Sequence, residues 1–489
     1  MNFEQIIAQL NDIVWGIPML ALLLGTGLYL TVSLKFLPVR KLGFAFSELF
    51  RKRTGQSDGE VSPFGALMTA LSSTIGTGNI GGVAAAIAIG GPGAVFWMWM
   101  TAIVGTATKY SEGLLALRFR ETDANGNHVG GPMYYIKNGM GQKWIWLAGL
   151  FATFGIFGAW GTGAMVQSNS IADGLNAAYG INPFVTAAVL SAAAAAVILG
   201  GVKRIAGVAS KLVPFMAATY LIAGLIVIAL NISAVPAAFG AIFRGAFGLD
   251  SAGTGISIGL LMLAMQRGVA RGIFSNEAGQ GSAPIAHAAA KNKDPVNQGI
   301  VAMLGTIIDT LIICTLTALV ILTSGVVADV CQPTAETLSQ FLENDRPEQC
   351  LIAVPLTAAA FDATLTGVGE HIVSISLVIF AFTTILGWSY YGERCCAFLF
   401  SEKAIFPFRL SWIAVVFGGA SLVAFKDDIT NIIELVWLVA DTLTGMMAAP
   451  NLVALIILSP VVFTMTREYF KARDAAAKEA GDSSEAPAE

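Results

Sequence analysis

Apolar residues run through this chain in long unbroken stretches separated by short polar turns. Stretches at 13–36, 62–90, 93–118, 144–175, 183–200, 210–231, 252–284, 297–324, 366–399 and 406–424 have the length of a bilayer crossing, which takes about 20 residues of helix. A further apolar stretch, 429–466, is long enough for two crossings. It is read as one long helix interrupted near Pro450, which gives about eleven spans. The segment 41–53 places Leu42, Phe44, Phe46, Leu49 and Phe50 among basic residues, the pattern of a helix lying in the membrane interface. The tail after Ala475, rich in Ala, Glu, Ser and Pro, reads as disordered.

Basic residues orient the loops, because lysine and arginine collect on the cytoplasmic side. Lys35, Arg40, Lys41, Arg51, Lys52 and Arg53 follow the first span, which places the N-terminus outside. Alternation then puts Arg118, Arg120, Lys137 and Lys143, then Lys203, Arg204 and Lys211, then Lys291 and Lys293, then Arg394, Lys403 and Arg409 on the cytoplasmic side. Arg467, Lys471 and Arg473 put the C-terminus there too, which requires an odd number of spans and is why 429–466 is read as one. The N-terminus has no basic n-region and no small-residue cleavage site, so the first span itself is expected to direct insertion into the cell inner membrane.

Two spans are abnormal. Residues 72–82 read Ser-Ser-Thr-Ile-Gly-Thr-Gly-Asn-Ile-Gly-Gly, and 274–282 read Phe-Ser-Asn-Glu-Ala-Gly-Gln-Gly-Ser. Each glycine weakens a helix by about 1 kcal/mol relative to alanine, and the small polar side chains compete for backbone hydrogen bonds. Broken backbone at membrane depth survives only around a protein-enclosed cavity. Glycines can also mark close helix packing, but here each break opens a set of five spans of opposite polarity. That is the pattern of an inverted repeat with a midplane site. The division is an N-terminal helix and interfacial segment (1–60), a first five-helix repeat (61–231), an external connector (232–251), a second repeat (252–466) and a cytoplasmic tail (467–489).

Composition agrees with lipid as the solvent: of 489 residues only 12% are charged, about half the share in soluble chains. The formal net charge of −4 says little about partners. No basic block suggests nucleic acid, and no phosphate-binding glycine motif supplies an ATP-driven engine. The five cysteines lack metal-ligand spacing; Cys331 and Cys350 share one polar loop and are as readily a disulfide as two thiols. The three histidines are scattered, so no cofactor or resident metal is expected.

A broken helix offers free N–H groups that suit a carboxylate and free carbonyls that suit a dehydrated cation. A small amino acid between two breaks satisfies both of its charges without a full ionic partner. Ionisable groups near spans are functional candidates by default. Glu112 lies beside Lys109 and Arg118 and reads as a structural ion pair; Asp173 and Asp441 read as interfacial. Glu277, inside a break, and Asp309, among apolar neighbours, are the stronger candidates for a coupling or structural charge. Gln167 either meets substrate or ties helices together.

Several stretches resemble the alanine/glycine:cation symporter family: Gly90-Gly91-Pro92-Gly93-Ala94-Val95-Phe96-Trp97-Met98-Trp99-Met100, Gly130-Gly131-Pro132-Met133-Tyr134-Tyr135-Ile136, residues 272–284, and Pro450-Asn451-Leu452. The resemblance covers nearly the whole chain except the tail. It implies an all-α membrane protein of the amino acid-polyamine-organocation fold, with leucine-transporter-like inverted five-helix repeats after one extra N-terminal helix. It also implies sodium- or proton-coupled uptake of alanine or glycine, with glutamine as the alternative substrate; a channel or a receptor is the rival from another class. Gly76-Thr77-Gly78-Asn79 is similar to the Gly-x-Gly-Asn of leucine-transporter-like proteins. The resemblance then gives the substrate carboxylate to the Thr77 and Gly78 amides, and makes Asn79 and Ser275 cation ligands. It makes Phe274 a pocket wall, and pairs Thr383 and Thr384 with the carbonyls of Ser72 and Ile75 around a second cation, with Thr74 beside them. Gln167 and Asn276 join the substrate set, and Trp388 narrows the side-chain pocket. Glu277 departs from the pattern, since a charge stands where those proteins have a small residue.

Overall fold

Helix starts are written plainly in the sequence. Pro63, Pro183 and Pro295 each open a helix behind a capping residue, where proline's missing N–H costs nothing. The Ser62 hydroxyl accepts the Gly65 amide at 3.0 Å, the Asn182 side chain accepts the Phe184 amide at 2.9 Å, and Asp294 accepts the amides of Val296 and Asn297 at 2.8 and 3.1 Å. The computed structural model describes residues 3–51, 58–249, 256–327 and 350–482.

Among the described residues seven helices are long and apolar enough to cross a membrane: Glu4–Ser33, Gln142–Tyr179, Gly201–Leu230, Pro295–Thr323, Gly369–Phe400, Glu402–Phe425 and Leu435–Ala476. The bent pair Pro63–Thr74 and Gly78–Gly90, meeting at 55°, is together long and apolar enough for an eighth. The helices Gly93–Arg118, Pro183–Ile198 and Ile256–Asn276 lie at other predicted spans.

Side chains are distributed as lipid dictates. Large apolar groups such as Val189, Phe215, Ile222 and Leu225 lie on the outside, while Asn79, Glu112, Gln167, Ser275 and Asp309 are buried. Within hydrocarbon there is no gain from hiding apolar surface, so the interior can be small and polar.

The last stretch is helical on both sides of one break. The helices Lys426–Met446 and Ala448–Asp482 meet at Met447, three residues before Pro450, which sits in the opening turn of the second. Asn11 donates to Thr442 at 3.0 Å, and Tyr29 bonds Ser459 at 3.0 Å. Residues rising along the first helix thus meet residues rising along the last, so the two run parallel. At 1.5 Å per residue, Leu435–Ala476 is roughly 60 Å long and extends well past the bilayer. The tail therefore departs from expectation: helix continues to Asp482 rather than giving way to disorder after Ala475. The expected connector 232–251 likewise contains a helix, Val235–Ala246, held where Trp97 donates to the Ala246 carbonyl at 3.3 Å. The interfacial segment is a helix over Leu42–Phe50 that buries Glu48 and Leu49 and exposes Phe46 and Phe50. The question of a Cys331–Cys350 bond lies outside the described residues at Cys331, and Cys314, Cys395 and Cys396 are free.

Candidate functional site

The first break spans Ile75 to Thr77. Ile75 is extended (φ −76, ψ 95), so the α-helical ladder stops there and the carbonyls before it lose their partners. The chain resumes as a π-helical turn, Gly78–Gly82, before α-helix returns at Val83. Thr77 and Gly78 lie at the opening of this second half, where backbone N–H groups have no acceptor within the helix.

The second break follows Asn276. Glu277, Gly279 and Gly281 all take positive φ, at 55°, 89° and 82°. Glycine adopts these angles freely, whereas a residue with a side chain pays of order 1 kcal/mol or more. Glu277 is held there by its own contacts: Ser282 donates a short hydrogen bond to its carboxylate, and the Trp388 side chain lies in hydrogen-bonding reach of it. Beyond the break only one and a half turns of helix, Ala283–Ala288, continue.

Two further π-helical stretches face the breaks. Ala159–Val166 carries Thr162 and runs directly into Gln167, and Ile307–Cys314 carries Asp309 and Thr310. A π-turn widens a helix and re-aims its side chains, and such turns recur at functional sites.

Three of these segments converge on Asp309. Its Oδ1 accepts from the Asn79 amide at 2.7 Å, and its Oδ2 accepts from Ser275 at 2.8 Å and from Thr310 at 2.7 Å. Asn79 also donates to Ser275 Oγ at 3.1 Å, and its own Oδ1 accepts the Gly76 N–H at 2.9 Å. One buried carboxylate thereby fastens the first break to the second. The Asn79 oxygen thus already accepts a backbone amide and the Ser275 hydroxyl already donates to a carboxylate, and each oxygen keeps a lone pair beyond those bonds.

Between the breaks lies a cavity of about 20 Å³, room for little more than one water. Thr74, Thr77, Gly78, Gln167, Phe274 and Glu277 line it, with Thr384 and Trp388 from the helix Gly369–Phe400. Thr384 Oγ1 approaches the Ile75 carbonyl at 3.4 Å. Gln167 Nε2 donates to Thr77 Oγ1 and to the Thr162 carbonyl, both at 3.2 Å. The carbonyl acceptor fixes the amide orientation, since a flipped amide would set two oxygens together. Gln167 Oε1, facing the cavity, is then left buried without a donor. Arg271 lies over the Phe274 ring, 5.7 Å from its centroid, rather than among the lining residues.

Not every expected residue reaches this cavity. Thr383 turns its hydroxyl to the Phe380 carbonyl at 2.9 Å and toward Met216, because neighbours on a helix point about 100° apart. The Ser72 hydroxyl bonds the Thr69 carbonyl at 2.8 Å, leaving only its backbone carbonyl for the break. Asn276 caps the helix end, accepting the Ala278 amide at 2.9 Å and donating to Thr310 at 3.2 Å. Ser73, Thr162, Gln280 and Thr444, which also line the cavity, were not foreseen; a polar residue every turn or so within an apolar run was the only signal.

Glu112 requires correction. No ion pair joins it to Lys109 or Arg118 among the described residues, and Arg118 is exposed and lies over the Phe119 ring. Instead its Oε1 accepts the Gly279 amide at 3.1 Å and the Asn451 amide at 2.7 Å. A carboxylate needs a donor whatever its charge, and the broken backbone at Gly279 supplies one closer than any cation.

The model of the sodium:alanine symporter family matches residues 1–483. The chain belongs to that family. It is therefore a membrane symporter of amino acids, and not an enzyme. Among similar proteins, the sodium/alanine symporter AgcS of Methanococcus maripaludis is 46% identical over 483 residues, covering 98% of this chain and 100% of that one. The probable sodium/glutamine symporter GlnT of Bacillus subtilis is 37% identical over 480 residues, covering 96% and 92%. A solved structure of MhsT in complex with L-phenylalanine superposes with a TM-score of 0.49 at 13% identity, over 84% of this chain and 98% of that one.

In this symporter the stretches that carried the resemblance meet around the second break. Tyr135 donates a short hydrogen bond to Asn451, whose amide also reaches the Gly279 carbonyl at 2.9 Å. A Cβ on Gly281 would lie 2.6 Å from Pro132 and 2.9 Å from Asn451. The glycines at 90–93 serve packing as well: a Cβ on Gly93 would lie 2.3 Å from the Gly245 backbone.

Proposed function

We propose that this chain imports alanine or glycine together with sodium by alternating access. In this reading it sits in the cell inner membrane with its N-terminus outside and its C-terminus in the cytoplasm, built as leucine-transporter-like inverted repeats around the paired breaks. The observation that carries the substrate assignment is the buried Gln167 carbonyl facing the cavity without a donor. An unsatisfied buried acceptor costs about 1–3 kcal/mol, and the ammonium of an amino acid would relieve it. The opening N–H groups at Thr77 and Gly78 lie across the same cavity and suit the carboxylate. With both ends of the zwitterion engaged and Trp388 and Phe274 as walls, little width remains for a side chain. That favours alanine or glycine over glutamine, and the walls must separate further to admit either. For the cation, the opened carbonyls of Ser72 and Ile75 with the Thr74 and Thr384 hydroxyls supply hard oxygens of the kind sodium prefers, and the Glu277 side chain lines the same cavity as Thr74 and Thr384.

Gln167→Leu keeps the bulk and removes the acceptor. Because a hydrogen bond to a charged group is worth about 1.5–3 kcal/mol, alanine affinity should fall by roughly ten- to a hundredfold while the protein remains folded. Alanine counterflow in proteoliposomes tests the assignment as a whole. Exchange of glutamine but not of alanine or glycine would overturn the substrate, and uptake driven by a proton gradient without sodium would overturn the coupling ion.

A further inference from the structure

We propose a binding site for the headgroup of an anionic phospholipid where the first membrane helix and the last helix leave the bilayer on the same side. The site is a cavity of about 730 Å³. Five cations border it: Lys35, Arg40 and Lys41 from the chain just after the first helix, and Arg467 and Lys471 from the last. Asp474 is the only acid among its lining residues.

The arrangement differs from the ordinary scatter of basic residues at a cytoplasmic face. Several other cations bordering that face are matched by acids: Lys137 with Glu121, Arg394 with Asp123 and Glu393, Arg409 with Glu393, and Arg51 with Glu48. None of the five in the cavity forms an ion pair with an acid among the described residues. Their convergence is also built. Lys35 and Phe36 both take positive φ, at 54° and 56°, which two successive residues with side chains adopt only under constraint. This turn ends the first helix and brings Arg40 back so that its guanidinium reaches the Lys35 carbonyl at 3.5 Å.

The remaining lining suits a lipid better than a soluble anion. Phe463 and Phe470 form an aromatic floor, and Lys41 Nζ stands 4.9 Å from the centre of the Phe470 ring. On the outer surface of the first helix Leu28 and Val32 are each 54% exposed one turn apart, and Phe36, just past the helix end, is exposed as well. A phosphodiester held among the cations would have exposed apolar side chains of the same helix for its acyl chains. Basic pockets at the cytoplasmic ends of membrane helices favour anionic lipid. The orientation proposed above assigns the site to the cytoplasmic leaflet, but the site itself rests on the geometry alone.

The test compares three purified proteins in mixed micelles of phosphatidylglycerol and phosphatidylcholine, with retained lipid counted by native mass spectrometry. These are the wild type, the triple variant Arg40→Gln/Lys41→Gln/Lys471→Gln, and a charge-matched control, Lys143→Gln/Lys203→Gln/Lys291→Gln. The wild type and the control should retain phosphatidylglycerol at least tenfold in excess of phosphatidylcholine, and the triple variant should lose that excess. If the triple variant does not elute as a folded monodisperse protein, Lys41→Gln alone should still lower the excess by several-fold. Equal retention of the two lipids by the wild type, or an undiminished excess in the Lys41→Gln and triple variants, would overturn the site.

Discussion

Replacing Asp309 with alanine is expected to abolish measurable uptake. The substitution withdraws the acceptor shared by Asn79, Ser275 and Thr310, all of them buried. A buried donor left without an acceptor costs about 1–3 kcal/mol, and here the deprived groups belong to both breaks. The account predicts that the first break is no longer held against the second, so that alanine binding and transport fall together by at least a hundredfold. Asp309→Asn separates two roles for the carboxylate. An asparagine accepts from Asn79 through its oxygen, and its amide can donate to the Ser275 and Thr310 hydroxyls, which accept as well as donate. If Asp309 acts chiefly as a fastener, Asp309→Asn retains binding with a modest loss. If its charge serves the cation, Asp309→Asn raises the sodium concentration needed for half-maximal uptake. Normal uptake by Asp309→Ala in protein of wild-type expression would remove the fastening of the breaks from the account.

Gly76→Ala carries the second large effect. A Cβ at this position would stand 2.5 Å from Thr384 Oγ1 and 3.5 Å from Gln167 Oε1. Threonine is short and β-branched, so its oxygen yields only if the helix Gly369–Phe400 shifts. Uptake of radiolabelled alanine should drop at least tenfold. Gly82→Ala serves as the comparison, because nothing lies within 4 Å of a Cβ there, and it should transport normally. Thr384→Ala makes room, so the double variant Gly76→Ala/Thr384→Ala should be less impaired than the product of the two single effects, the non-additivity expected of groups in contact. Strict additivity would show that the close approach at Gly76 is not what the alanine disturbs. Gly78 is a different case. Its φ is not in the left-handed region, and a Cβ would meet Phe274 at 3.4 Å, an ordinary contact. Whatever sensitivity Gly78 has must come from the substrate side of the cavity.

These residues also mark how far the sequence could be read. The runs that cross the membrane were legible because hydrocarbon demands apolar length, and the breaks because glycine and small polar residues interrupt that length where nothing else permits it. Proline behind serine, asparagine or aspartate opens the helices at Pro63, Pro183 and Pro295, against spans read from 62, 183 and 297. The site was legible only as far as local backbone carries it. That Thr77, Phe274, Thr384 and Trp388 border one cavity agrees with their placement on breaks and on a facing helix. What each polar side chain bonds to was not legible, because the partner comes from another helix. That the Asn79 oxygen accepts the Gly76 amide, three residues away, was not read from the sequence. Glu112 stood beside Lys109 in sequence yet meets Gly279 and Asn451. The π-helical turns at Ala159–Val166 and Ile307–Cys314 left no mark in the hydropathy pattern, although they aim Gln167 and Asp309. A widened turn changes direction without changing composition.

The central claim is that the cavity between the breaks binds a small zwitterionic amino acid only when sodium is present. Equilibrium binding of radiolabelled alanine to the purified wild-type protein, in sodium chloride and in choline chloride of equal ionic strength, tests it most directly. The account predicts saturable binding in sodium, displaced by glycine, and affinity at least tenfold weaker in choline. Alanine affinity unchanged by the removal of sodium, or no saturable binding of alanine or glycine in either salt, would contradict it.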